Sequence, residues 1–157
     1  NNVTWFGRGP HESYWDRKQS AAIGVYSGSV WDQTYRYVRP QETGNKTDVF
    51  WMAVFNEKRN GLMAVGLPSF DGSVHRYPYD DLDYYPGAQR HGKLDLVPKD
   101  HTDWLIDIKQ MGVGGDNSWG AKPMKKYTLY PGVYNQSMLL IPFTSQGDFT
   151  KLSKKRF

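Results

Sequence analysis

At 157 residues, 38% of them hydrophobic, the chain is long enough for one domain with a buried core. Its formal net charge of +4 is scattered: Lys151, Lys154, Lys155 and Arg156 sit at the C-terminal end and the other bases alternate with acids. That leaves no basic stripe for nucleic acid. The lack of cysteine excludes disulfides, thiol catalysis and thiolate metal sites, and no apolar run is long enough to cross a bilayer as a helix.

Aromatic residues make up 15% of the chain, and 16 glycines and 9 prolines are spread along it, a balance that favours short strands joined by turns. The opening Asn1-Asn2-Val3 resembles neither a signal peptide nor a natural start, so a longer polypeptide is the expected context. Strands are predicted at 22–26 and 35–38. The run 48–55 is apolar on both faces, turns through Asn56-Glu57-Lys58-Arg59-Asn60-Gly61, and returns as 62–67, predicting a hairpin in a sheet covered on each side. A strand at 74–77 precedes a short helix at 78–84, with a proline and carboxylates in its first turn. Another strand follows at 104–109. A second hairpin is predicted from 126–130 through Pro131-Gly132 to 134–143. Residues 146–157 form a polar, basic tail expected to fray, which leaves 1–145 as the folded domain. The expected fold is all-β, an antiparallel β-sandwich.

Between the strand at 104–109 and the second hairpin lies Met111-Gly112-Val113-Gly114-Gly115-Asp116-Asn117-Ser118-Trp119-Gly120. Four glycines in nine positions let the backbone enter positive-φ conformations and approach another surface closely. A tryptophan among Asp116, Asn117 and Ser118 suits a sugar, whose C–H face stacks on the indole while its hydroxyls meet short polar side chains. A simple packing anchor is the alternative use of the same residues. The segment is not a nucleotide loop, because it lacks a strand–helix setting and a following lysine.

No catalytic constellation assembles from spacing. A glycosidase needs two carboxyl groups flanking the bond. Asp80, Asp81 and Asp83 sit at the expected helix start, where compensation of the helix dipole accounts for them. His11-Glu12 lacks the second histidine of a zinc-protease helix, and His75, His91 and His101 have no metal-ligand spacing. Ser118 is not in a nucleophile elbow. The pattern is that of a binding or supporting module.

Three segments carry a family resemblance. The stretch from Trp5 to Lys18, WFGRGPHESYWDRK, resembles the W-x-G-x-G-P-x-E-x-Y-x-D-R segment of bacterial β-galactosidases of glycoside hydrolase family 2. The stretch from Tyr37 to Asn45, YVRPQETGN, resembles that family's Y-V-x-P-Q-E-N-G segment, and the glycine-rich loop resembles its M-G-x-G-G-D-D-S-W segment. They occur in the family's order, and the likeness runs from Trp5 to about Phe143.

The resemblance implies the C-terminal, small-chain domain of such an enzyme, a supersandwich similar to galactose mutarotase, present here as part of that domain. It implies retaining hydrolysis of terminal β-D-galactosides by two glutamates of a TIM barrel elsewhere in the polypeptide. Magnesium and sodium sites are implied on that barrel, with none of their ligands and no catalytic residue in this chain. Trp119 matches the family tryptophan that meets substrate at the active-site mouth, with Asp116 and Asn117 as neighbouring candidates for substrate contact. The implied partners are a galactoside, the rest of the same polypeptide and, in the full-length protein, further copies of it. Arg8, Glu12, Asp16 and Arg17 are expected to form ion pairs holding the first loop, and Gln41 and Glu42 to satisfy turn amides before Gly44. The sequence departs from the family pattern at Trp15, Thr43 and Asn117, where proline, asparagine and aspartate are usual. A non-catalytic carbohydrate-binding sandwich and a mutarotase-like epimerase are the alternative readings.

Overall fold

A computed structural model describes residues 1–35, 37, 42–78, 81, 96–117, 119–144 and 147–154. Six strands, β1 (Asn2–Gly9), β2 (Ala22–Ser29), β3 (Lys46–Phe55), β4 (Gly61–His75), β5 (Asp103–Asp107) and β6 (Ser137–Phe143), form one sheet in the order β2-β1-β3-β4-β5, with β6 also paired to β4. Every pairing is antiparallel. The all-β, antiparallel expectation holds, and the little helix present is short.

The hairpin centred on Asn56–Gly61 forms as the sequence indicates, with Phe55 opposite Gly61 and Trp51 opposite Val65. Its strands are apolar on both faces because the sheet has a core on each side. Successive residues of β3 alternate between them: Met52 joins Val3, Trp5, Ala64 and Phe70 on one face, whereas Trp51, Ala53 and Phe55 join Met63, Val65 and Ile141 on the other. Burial on both sides of a sheet is the arrangement of a sandwich layer.

β4, at 15 residues, is more than twice the length expected. Its first half, Gly61–Leu67, pairs with β6, and its last part, Asp71–His75, pairs with β5, so Val74 and His75 of the strand expected at 74–77 end β4, whereas Arg76 and Tyr77 lie beyond it. From the pair Val49–Phe70 to the pair Trp51–Val65, β3 advances two residues and β4 five, a bulge that bends the strand between its two partners. β1, read from the sequence as part of a loop, lies between β2 and β3.

Three expectations are corrected. The second hairpin does not form: Lys125–Tyr127 is a 3-10 turn and β6 pairs with β4. Leu139, Ile141 and Phe143 pack on the Phe55 core, which buries more apolar surface than pairing with the polar 126–130 segment. Tyr35 and Tyr37 belong to no strand, and the other residues of the 35–38 prediction, Arg36 and Val38, lie outside the described residues. Within the segment expected to fray, Phe149–Leu152 forms a short helix, α1, capped by the Asp148 carboxylate, which accepts from the Thr150 and Lys151 amides at 2.9 and 3.2 Å. Most of the helix predicted at 78–84 lies outside the described residues.

Phe149, 8% exposed, is the anchor of α1. Its ring centre lies 5.9, 5.5 and 5.3 Å from those of Trp51, Phe55 and Phe143, so it caps one face of the sheet. Phe149→Ala is expected to cost about 3–5 kcal/mol of docking energy. Hydrogen exchange at Leu152 and Ser153 checks this: loss of protection is the expected outcome, and unchanged protection means that the Asp148 cap holds the helix unaided.

Candidate functional site

The glycine-rich loop leaves the end of β5, and its backbone is gripped by two carboxylates from distant parts of the chain. Asp71, at the bulged part of β4, accepts the Gln110 amide at 3.2 Å through one oxygen and the Asp48 amide at 3.3 Å through the other. Burial pushes Asp71 up to about 6, against the pull of the Gln110 amide and the Lys18 charge. Asp16 accepts the Val113 amide at 3.2 Å and the Gly114 amide at 2.8 Å. Main-chain donors satisfied by an anion make strong, short-range contacts that no side-chain pattern reveals.

Gly112 must be glycine for this grip to close. A Cβ there would fall 2.6 Å from an Asp16 oxygen and 2.9 Å from the Tyr127 Cβ, and the Gly112 amide donates to the Tyr127 carbonyl at 2.8 Å. That bond fixes the 3-10 turn found in place of the expected strand. Trp15 packs edge-on against Tyr127, ring centres 5.8 Å apart, and carries the Lys109 ammonium 3.2 Å over its face. The departure from proline at position 15 thus adds an aromatic brace beside the loop.

Beyond the grip the loop projects. Gly114, Gly115 and Gly120 adopt φ of +64°, +93° and +88°. Asn117 turns its side-chain oxygen back on the main chain, accepting the Trp119 amide at 2.8 Å and the Ala121 amide at 3.4 Å. Trp119 stands at the tip, 92% exposed, and Asp116 is exposed beside it. Ser118 lies outside the described residues. A cavity of about 580 Å³ opens between the loop and Tyr14, Arg17 and Glu42, and a hollow of about 430 Å³ adjoins it, lined by Asp16, Arg17, Asp116 and Met124.

The first loop is itself pinned to β3, by the ion pair expected of Arg8 and by hydrogen bonds that were not foreseen. Arg8 pairs with Asp48 at 2.7 Å, and Lys18 holds the other Asp48 oxygen at 2.5 Å. Burial alone would raise the Asp48 carboxyl, but these two bonds win and hold it below the usual range. Glu12 is buried and accepts the Gly44 amide at 2.8 Å and the Tyr14 hydroxyl at 3.2 Å. Gln41 lies outside the described residues. Thr43, in place of asparagine, accepts the Tyr35 amide at 3.0 Å. Ser13 shares a 2.8 Å hydrogen bond with the Thr47 hydroxyl and exchanges bonds with Asn45.

Behind this seam lies a charge. Lys46 is 1% exposed, and among the described residues its ammonium donates no hydrogen bond. It sits 5.1 Å over Trp5 and 5.4 Å over Tyr35. Burial brings it down to about 8, partly offset by Glu12. His75, buried nearby, is brought down to about 4 by burial and then by the Lys46 charge. Its Nδ1 shares a 3.1 Å hydrogen bond with Tyr77, whose hydroxyl also meets Thr34 at 3.0 Å. Burial pushes Tyr77 up to about 12.

Residues 1–140 match the family described as beta galactosidase small chain. The chain belongs to this family. It is 43% identical over 130 residues, 83% of its length, to a β-galactosidase of Priestia megaterium. It is 35% identical over 140 residues to one of Vibrio cholerae and 34% identical over 138 residues to one of Lactobacillus delbrueckii, covering 89% and 87% of this chain. The chain spans only about 12% of the length of these relatives, so the small-chain domain is one piece of a much larger polypeptide.

Among the described residues of the small-chain domain, no three His, Asp or Glu side chains gather in a way that suits a metal ion. Asp81 pairs with Lys99 at 3.4 Å, and His101 lies 3.7 Å from Asp103. His91, Asp80 and Asp83 lie outside the described residues. The titration of His75 gives a pH signature. Because its folded value, about 4, lies below the ordinary 6.5, its protonation favours unfolding: no cost exists above pH 6.5, and stability falls as pH drops from 6.5 to 4. Asp71 acts in the opposite sense, its burial cost fading as pH falls through 6. A comparison with His75→Gln isolates the first effect. The stability difference between native protein and variant is expected to shrink by on the order of 3 kcal/mol across that window. Hydrogen exchange of β4 amides in the full-length protein measures it, and a pH-independent difference contradicts the assignment.

Proposed function

We infer that this chain is the part of a β-galactosidase that lends a wall to the active site, with Trp119 as the surface on which substrate stacks. The observation that carries the reading is the way Trp119 is displayed. An indole left 92% exposed leaves its apolar surface in water, yet the loop beneath it is tied down by Asp71, Asp16 and Asn117. A side chain that serves only as a packing anchor has no need of that support. The indole gives a rigid apolar platform for the C–H face of a sugar or its aglycone. Asp116 and Asn117 are exposed beside it, within reach of hydroxyl groups.

Cleavage in this reading belongs to residues outside the chain. A retaining glycosidase uses two carboxyl groups about 5–5.5 Å apart, one as nucleophile and one as acid/base. The two glutamates of a TIM barrel in the remaining polypeptide take those roles, and magnesium and sodium bind there. The substrate is a terminal β-D-galactoside, which this domain contacts without attacking it. The full-length protein assembles with copies of itself.

Two measurements test the reading. In the full-length enzyme Trp119→Ala is expected to raise KM for lactose about two- to tenfold, the equivalent of about 0.5–1.5 kcal/mol of stacking, with a smaller change in kcat. A collapsed kcat at unchanged KM contradicts it. The chain expressed alone is expected to release no nitrophenol from a nitrophenyl β-galactoside, and measurable turnover by the pure chain places the chemistry here instead.

A further inference from the structure

We propose that Asp16 is a positioning residue for substrate, fixing the direction in which Trp119 is presented although it lies about a hundred residues away in sequence and has no place at the loop tip. The proposal rests on the reading of Trp119 as the substrate platform. Its basis is the geometry of the loop's base. Asp16 grips the outgoing limb through the Val113 and Gly114 amides, at 3.2 and 2.8 Å. A Cβ on Gly114 would lie 3.4 Å from the Ala121 carbonyl oxygen, so the returning limb runs directly against the gripped one. Between the two limbs are Gly115 and Gly120, both at positive φ, and the turn that Asn117 closes on the Trp119 amide. The tip therefore has its own local closure, flanked by two glycines at positive φ. What sets its direction relative to the sheet is the grip at the base.

Asp16 is equally well held from behind. It ends the segment that Ser13 and Glu12 fasten to Asn45, Gly44 and Thr47 at the start of β3. Gly112, which only glycine can occupy beside the Asp16 carboxylate, keeps the two loops in register. The path from the buried sheet to Trp119 is thus Thr47, Ser13, Asp16 and the Gly114 amide, each step a hydrogen bond or a few bonds of main chain. Asp16 also lines the hollow next to Asp116, on the side of the loop that faces Arg17 and Met124. A loop held this way offers its indole at one angle, and the angle decides which aglycones stack well.

The test uses the full-length enzyme with Asp16→Ala, Asp16→Asn, Trp119→Ala and the Asp16→Ala/Trp119→Ala double variant. Hydrogen exchange at Val113 and Gly114 reports the grip directly. Steady-state kinetics on lactose and on a series of aryl β-galactosides reports its consequence. The expected result is faster exchange at those amides in Asp16→Ala and a KM raised by about the same two- to tenfold as Trp119→Ala. Alongside it come a reordered aglycone preference and a kcat that changes less than KM. Asp16→Asn, which keeps one acceptor oxygen, falls between native and alanine. The double variant matches Trp119→Ala alone, because the grip has no indole left to aim.

Additive effects in the double variant overturn the proposal, as does a fall in kcat equal to the rise in KM, since both mark a general structural defect. Faster exchange with unchanged KM and preference also overturns it, while leaving the Trp119 reading intact if Trp119→Ala still shifts KM. If Trp119→Ala changes neither KM nor preference, the platform reading fails and this proposal falls with it.

Discussion

Because β3 is covered on both faces, every polar group that reaches it must find its partner inside the protein. Its first three residues, Lys46, Thr47 and Asp48, are polar and sit where the strand enters the sheet. Thr47 meets this demand through Ser13, Asp48 through Arg8 and Lys18, and Lys46 through the faces of Trp5 and Tyr35 with the charge of Glu12 nearby. The segment after β1 has little choice of path once these contacts exist. It is laid across the start of β3 and delivers Asp16 to the glycine-rich loop. A requirement for satisfied polar groups in the core is thus what fixes a surface loop some distance away.

The same logic governs the other side of the loop. Asp71 is a carboxylate held in a place where burial disfavours its charge, and it persists there between two main-chain amides, those of Asp48 and Gln110. One oxygen serves the start of β3 and the other the exit from β5. The bulge in β4 puts Asp71 at that junction, and the long strand then has one edge shared between β6 and β5. Sheet irregularity and site construction are one feature here.

Much of the fold was legible from local chemistry. The hairpin at β3 and β4 announced itself because an apolar run on both faces and an Asn-Gly turn agree with one another. The projection of the glycine-rich loop was legible for a similar reason: glycine spacing and polar neighbours both point to an exposed turn carrying the tryptophan. β1 was missed because Gly7, Arg8 and Gly9 disguise the alternation that Val3 and Trp5 begin. The second hairpin was misread because Pro131-Gly132 looks like a turn, whereas the partner of β6 is chosen by a distant strand. The tail was misjudged on its composition, though Asp148 followed by Phe149 and Leu152 at i, i+3 spacing carries a cap and an apolar stripe. What supports the loop was invisible for a deeper reason. Asp16 and Asp71 bind backbone amides, and a main-chain donor leaves no mark in the identity of its residue.

That last property bears on how such a domain changes over generations. Contacts made to amides are indifferent to the side chains that those residues carry. Position 113 can therefore be exchanged without loss of the hydrogen bond that its amide gives Asp16, and any side chain at 117 that presents an oxygen to the Trp119 amide still closes the turn. The glycines and the gripping carboxylates are the part that the hydrogen bonds and close contacts fix; the side chains around the indole are the part that they leave adjustable. The rim around the indole can be rewritten one codon at a time, on a frame that does not register the edit.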